Sequence, residues 1–174
     1  MRAMYRALSL IALLALLPPR ASQADPIHAV ADGAYWHHGS GWIFPENVGR
    51  YVRVGIPQDV AGSEDAVAWY ALEEGGERRL ASVDVYVSSS AAVAVLEAPL
   101  DGPLISEGAF PLTAAPAVTA TRRIYSLGPT TPSKVGLYLI RAGDWRVRIC
   151  ITGPDLSAMD SFVQSQRWEK LGTH

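Results

Sequence analysis

The chain has a single cysteine, Cys150, so it cannot build an internal disulfide, and apolar burial must hold whatever fold it adopts. H-E-x-x-H, C-x-x-C and any ladder of oxygen ligands are missing, which removes the common zinc and calcium frameworks. A G-x-S-x-G elbow is also missing, and the run Ser88 to Ser90 lacks the neighbouring glycines such an elbow needs. Basic residues are not in excess, with 15 Lys and Arg against 17 Asp and Glu and no basic stripe. Nucleic acid and anionic membrane surfaces are therefore poor candidate partners. No apolar run reaches the roughly 20 residues needed to cross a bilayer. Internal repeats and low-complexity tails are absent too, and no cofactor motif is present.

The first two dozen residues carry the clearest positive signal. Arg2 and Arg6 precede an apolar run from Ala7 to Leu17, and "PPRASQA" then places Ser22 and Ala24 at small-x-small positions. That pattern predicts a secretory leader over residues 1–24, cut before Asp25. Its removal leaves 174 − 24 = 150 residues, enough for one domain with a sizeable core. Arg2, Arg6 and Arg20 leave with it, so 15 − 3 = 12 basic residues face 17 acidic ones, a net charge of −5. The expectation is a periplasmic or secreted protein with no transmembrane segment after cleavage.

Beyond the leader, residues 25–41 show little periodicity and read as an irregular lead-in to a single domain over 42–174. Short strands are expected at Tyr51 to Ile56, Ala66 to Glu74, and along "RRLASVDVYVSSS", where Val83, Val85 and Val87 alternate with Asp84, Tyr86 and Ser88. Gly75-Gly76 between the last two is a hairpin signal. Residues 91–121 carry four prolines, which forbid a long helix. Ala91 to Leu96 fits either a strand extension or a short helix, and the remainder reads as a crossing loop with one helical turn near Leu104 to Phe110. Strands resume at Arg122 to Gly128, and Gly143-Asp144 joins Gly136–Ile140 to Trp145–Thr152. Asp155 or Ser157 caps a final amphipathic helix from about Leu156 to Leu171. The predicted class is α+β: an antiparallel sheet of about six strands with the C-terminal helix packed on it.

Three of the four histidines lie at or before "AYWHHGSGW", Ala34 to Trp42. His37 and His38 are the candidate metal ligands, although adjacent residues on an extended chain point to opposite sides. His28, one of that pair and a carboxylate such as Asp32 could together make a weak site. Trp36 and Trp42 bracket the histidines, as candidate ligand-stacking residues or, in the favoured reading, as plugs at the end of the sheet with Trp42 needed by the fold, whereas Trp69 and Trp145 read as core. Asp84 and Tyr86 share one strand face, and Arg146, Arg148 and Cys150 share another. If those strands are neighbours, Asp84 pairs with Arg146 or Arg148, either as a plain cross-strand ion pair or as part of a face that binds an anionic or peptide-like ligand. Cys150 reads as a small apolar strand residue, and nearby arginines would lower its pKa.

"WIFPENVGRYVRV" (Trp42 to Val54), "AWYAL", "ASVDVYV", "GDWRVRICITGP" and a final "QRW" resemble, in that order, a family of small exported proteobacterial proteins. Those proteins carry "FP..vG.f.R" and "gW.vk.R" motifs. The chain departs from them at "SSS" after "VYV" and in its proline-broken middle. The element order is also similar to PsbP-like and Mog1-like domains, which implies a helix on an antiparallel sheet but no function. Together these features favour a non-enzymatic binding module of the cell envelope, with an envelope protein or small ligand as partner and no cofactor. The alternative is a small hydrolase or metal-dependent enzyme using His37 or His38.

Overall fold

The computed structural model describes residues 27–59, 64–115, 118–128, 133–168 and 171; the predicted leader and its cleavage point lie outside them. Two long hairpins organise the main sheet. In the first, β7 (Ala66–Glu74) and β8 (Glu77–Val87) turn at Gly75-Gly76, and both glycines have positive φ, +60° and +82°. That conformation suits the right-handed twist of the flanking strands and is open to glycine at little cost. In the second, β11 (Lys134–Ala142) and β12 (Trp145–Gly153) turn at Gly143-Asp144. β12 lies antiparallel to β8, which joins the hairpins at the centre of the sheet.

β10 (Thr119–Ser126) pairs with β11, and β9 (Leu104–Ala109) forms the far edge. At the other edge stand the short strands β4 (Asn47–Val48), β5 (Tyr51–Arg53) and β6 (Gln58–Asp59), with β5 and β6 both pairing along β7. Among the described residues the sheet thus has nine strands, all antiparallel, rather than about six. The extra strands β4 and β6 are two residues long and β9 is fully exposed, so they are too short or too open to water to show periodicity. Mostly antiparallel sheet with a C-terminal helix is compatible with the α+β class.

One face of this sheet makes the core. Ala68 and Tyr70, Val83 and Val85, Tyr138 and Ile140, and Val147, Ile149 and Ile151 are all buried there. Each large apolar side chain withdrawn from water contributes roughly 1.5–3 kcal/mol. The helix α2 (Leu156–Gln164) covers this face with Met159, Phe162 and Val163. Asp155 caps it by accepting from the Ser157 N–H at 2.9 Å. Helix and sheet are also clamped by Asp160, which accepts from the Tyr138 hydroxyl and from Arg122 Nη1, both at 2.6 Å.

The helix is shorter than its apolar stripe suggests. The chain leaves it after Gln164, and the Trp168 indole donates to the Val163 carbonyl at 2.8 Å. An orphan carbonyl at the helix end is thereby satisfied, and Trp168 folds back into the core.

The described part of the N-terminal segment, 27–41, holds regular strands where an irregular lead-in is expected. β1 (Ile27–Ala29), β2 (Tyr35–His37) and β3 (Ile43–Phe44) form a three-stranded antiparallel sheet. Asp32 and Gly33 turn β1 into β2 with φ of +59° and +67°, and the Ala34 N–H donates to the Ala31 carbonyl. An Asp-Gly pair is a known signal for such a turn, yet three-residue strands are too short to show alternation. Two further expectations are corrected. Leu104 to Phe110 holds the strand β9 and no helical turn, because pairing with β10 satisfies its backbone. Of the two readings for Ala91 to Leu96 the short helix is found, α1 (Val93–Leu96). The strand at Tyr51 ends at Arg53, before Gly55 at φ +79°.

Candidate functional site

The connection from β8 to β9 crosses the face of the sheet opposite the core. That outer face is part roofed and part open. Register fixes which residues meet on it. Trp69, Ser82, Cys150 and Leu137 form one cross-strand row, Val67, Asp84, Arg148 and Leu139 the next, and Tyr86, Arg146 and Arg141 the third. The expected neighbourhood of β8 and β12 is therefore real, and it selects Arg148 as the partner of Asp84.

Arg148 Nη1 donates to Asp84 Oδ2 at 3.0 Å, with the Ser82 hydroxyl on the same oxygen at 3.3 Å. The two side chains are only 17 % and 15 % exposed, so this is not the solvent-washed strand pair expected from sequence. Burial pushes the Asp84 carboxyl above the usual range, against the pull of Arg148 and of both hydrogen bonds. The same burial raises the Cys150 thiol, and Arg148 only partly offsets it. Nearby arginine does not activate this cysteine, because desolvation outweighs the charge.

Under the roof, Glu97 sits just beyond α1. Its carboxylate lies 3.1 Å from Arg141 Nη2 and 3.4 Å from Arg146 Nε, and it accepts from the Tyr86 hydroxyl at 3.4 Å. Burial and the Glu97 charge together hold the Tyr86 phenol far above its usual pKa. Leu100 packs beside it on Tyr125, Leu137 and Leu139. Glu97 carries no sequence signal, since its role depends on three strands brought together by the fold. The cluster is not saturated: Arg146 Nη1 and Arg148 Nε are buried with no hydrogen-bond partner among the described residues, and Arg146 Nε has only its ion pair with Glu97. Such donors normally find one, and leaving them unmade costs about 1–3 kcal/mol each.

The open half of the face is apolar. Trp69 is 49 % exposed, Val52 51 % and Leu80 44 %, and Val52, Ala71 and Leu80 share a cross-strand row beside Trp69. This corrects the placing of Trp69 in the core. Its neighbours on β7, Ala68 and Tyr70, point inward, and the alternation of a strand sends Trp69 outward.

The remaining candidate residues lie elsewhere. Trp42 is wholly buried, edge-on to Trp168 at 5.0 Å, so it is a core residue that no surface ligand can stack upon. His37 is wholly buried as well, its ring 5.3 Å from that of Trp145. The Ser40 N–H points at His37 Nδ1 at 3.4 Å, and the Ser40 hydroxyl lies 2.7 Å from the same nitrogen. Nδ1 is then the acceptor and the proton of the neutral ring sits on Nε2. Burial lowers the His37 pKa, opposed by the Glu64 backbone and by the Glu64 and Asp65 charges.

His38 is exposed and turned away from His37, its ring 5.1 Å from Trp36 and 6.4 Å from His28. The adjacent pair is thus split between core and surface, and no group of three or more metal-binding side chains occurs among the described residues. Among those residues no helix is long and apolar enough to cross a membrane. Comparison with known protein families, curated proteins and solved structures finds no match, so the functional reading rests on this surface.

Proposed function

We propose that the protein is an exported, non-enzymatic interaction module of the bacterial cell envelope, whose partner docks on the outer face of the main sheet. The observation that carries this reading is Trp69: a tryptophan half in water at mid-strand, beside Val52 and Leu80 and on the same sheet face as Asp84 and Arg148. Tryptophan and arginine are the residue types that dominate binding energy at protein interfaces. The partner suited to this face presents an apolar side chain to Trp69 and a polar group to the rim formed by Asp84 and Arg148, while Tyr86 and Arg146 lie beneath the Glu97 roof. The leader-like residues 1–24 and the resemblance to small exported proteins support the location.

An enzyme built on His37 and His38 gains no support from the geometry, because one ring is sealed in the core and the other faces away. A photocrosslinker placed at Leu80 tests the proposal in intact cells. One discrete partner should be captured there, and not by the same group at Ser157 on α2. Equal capture at both positions, or capture that survives Trp69→Ala and Arg148→Met together, overturns it.

A further inference from the structure

A cleft of about 470 Å³ opens between α2 and the β4–β5 edge, on the side of the sheet away from the outer face. Its walls include Tyr51, Leu72 and Phe162, with the Tyr51 and Phe162 rings edge-on at 4.8 Å. That volume falls in the range of small-molecule sites, which pair a mostly apolar lining with a few placed polar groups.

Arg79 is the unusual member. It follows Val85, Val83 and Ala81 down the inward face of β8 and stands opposite Leu72, at a position where alternation calls for an apolar residue. Its side chain is only 19 % exposed, and its stem lies against Gly153. Nη1 reaches Glu74 at 3.2 Å, while Nε is buried without a hydrogen-bond partner among the described residues. Glu74 is shared, since Arg50 Nη1 donates to its other oxygen at 2.6 Å. One carboxylate thus serves two guanidinium groups. The remaining acid of the lining, Asp155, is committed to capping α2, where the helix N-terminus offsets its charge. The lining therefore sets two guanidinium groups against two carboxylates, and the helix N-terminus at Asp155 adds a partial positive charge above an apolar floor.

From this arrangement we infer that the cleft binds a small amphiphilic carboxylate, with its hydrocarbon body against Tyr51, Leu72 and Phe162 and its anionic head on Arg79 and Arg50. The inference is independent of the outer face, because the residues of the two surfaces do not overlap.

Decanoate is the probe, titrated calorimetrically into the full mature protein, with decanol and decyltrimethylammonium as head-group controls. Saturable binding of decanoate is expected, with decanol weaker by about tenfold, the value of one charge-assisted hydrogen bond. No saturable binding of the ammonium is expected. Arg79→Gln should lower decanoate affinity by about the same factor. Because Arg79 lies close to the core, Ala158→Phe on the helix wall provides a second variant, which fills the cleft without touching the ion pairs and should abolish binding. The inference is overturned if decanoate gives no saturable heat, if decanol binds as tightly, or if Ala158→Phe binds decanoate like the parent.

Discussion

The two faces of the main sheet are made by the same strands and yet have opposite chemistry. Inward, β8 and β12 present Ala81, Val83, Val85, Val147, Ile149 and Ile151, all sealed beneath α2 and the N-terminal strands. Outward, the same two strands present Ser82, Asp84, Tyr86, Arg146, Arg148 and Cys150. A face that only had to meet water would carry exposed, mutually screened charges. Here the charges are largely withdrawn from water and two of their donors are unmatched, which is costly for a surface with no other role. Apolar burial is concentrated on one side of the sheet and withdrawn charge on the other.

The comparison breaks most sharply at Trp42. As a wholly buried ring against Trp168 and Phe44, it belongs to the inner face. Trp42→Ala should cost about 3–5 kcal/mol in chemical denaturation. A near-neutral result would mean that the N-terminal strands do not help to close the core.

On the outer face, Arg148→Met leaves Asp84 desolvated without its cation. The carboxyl, already raised by burial, then takes a proton in preference to remaining charged, which holds the loss to about 1–3 kcal/mol at neutral pH. A folded-state pKa raised further adds stability that is present at low pH and lost as pH rises through that value. The gap between variant and parent should accordingly narrow toward pH 4, and a gap that widens there would show that Asp84 is not the group being stranded.

His37 tests the inner face by pH. Its folded-state pKa lies below the ordinary 6.5, so below that pH the unfolded chain binds the proton more readily. Stability contributed by the neutral ring is present above pH 6.5 and is lost as pH falls toward the lowered value. His37→Asn keeps an acceptor and cannot take up that proton. Its melting temperature should fall less steeply than the parent's between about pH 7 and 5, where imidazoles titrate, and equal slopes would place His37 outside the core.

Much of the fold was legible because the long strands advertise themselves. The turn signals Gly75-Gly76 and Gly143-Asp144 locate β7, β8, β11 and β12, alternation supports β8 and β12, and Asp155, one of two candidate caps, marks the start of α2. β1, β2 and β9 escaped notice because two of them are three residues long and the third is exposed throughout, so none alternates visibly. That Asp84 pairs with Arg146 or Arg148 follows from the sequence if β8 and β12 are neighbours, and the register then selects Arg148. Glu97 and Arg79 were not readable in this way, since their partners come from distant strands and only topology brings them together. The tryptophans divide: burial of Trp42 agrees with its reading as a plug and excludes the ligand platform, whereas Trp69, which its strand suggests is core, faces outward. Indole size alone does not say which side of a sheet it occupies.

Trp69 is where the two faces are most finely divided, and it yields the smallest expected effect on stability. Its ring is half in water and its row-mates Ser82 and Cys150 are small, so truncation opens no cavity. Trp69→Ala should stay within about 1 kcal/mol of the parent, as surface substitutions do, while Tyr70→Ala one position along costs several times more because Tyr70 faces inward. The same Trp69→Ala protein should lose most of its partner capture, since a half-exposed aromatic contributes to an interface far more than to the fold beneath it. If Trp69→Ala proves as damaging to the fold as Tyr70→Ala, the outer face is a second core surface awaiting cover by another part of the chain, and the division between the two faces fails.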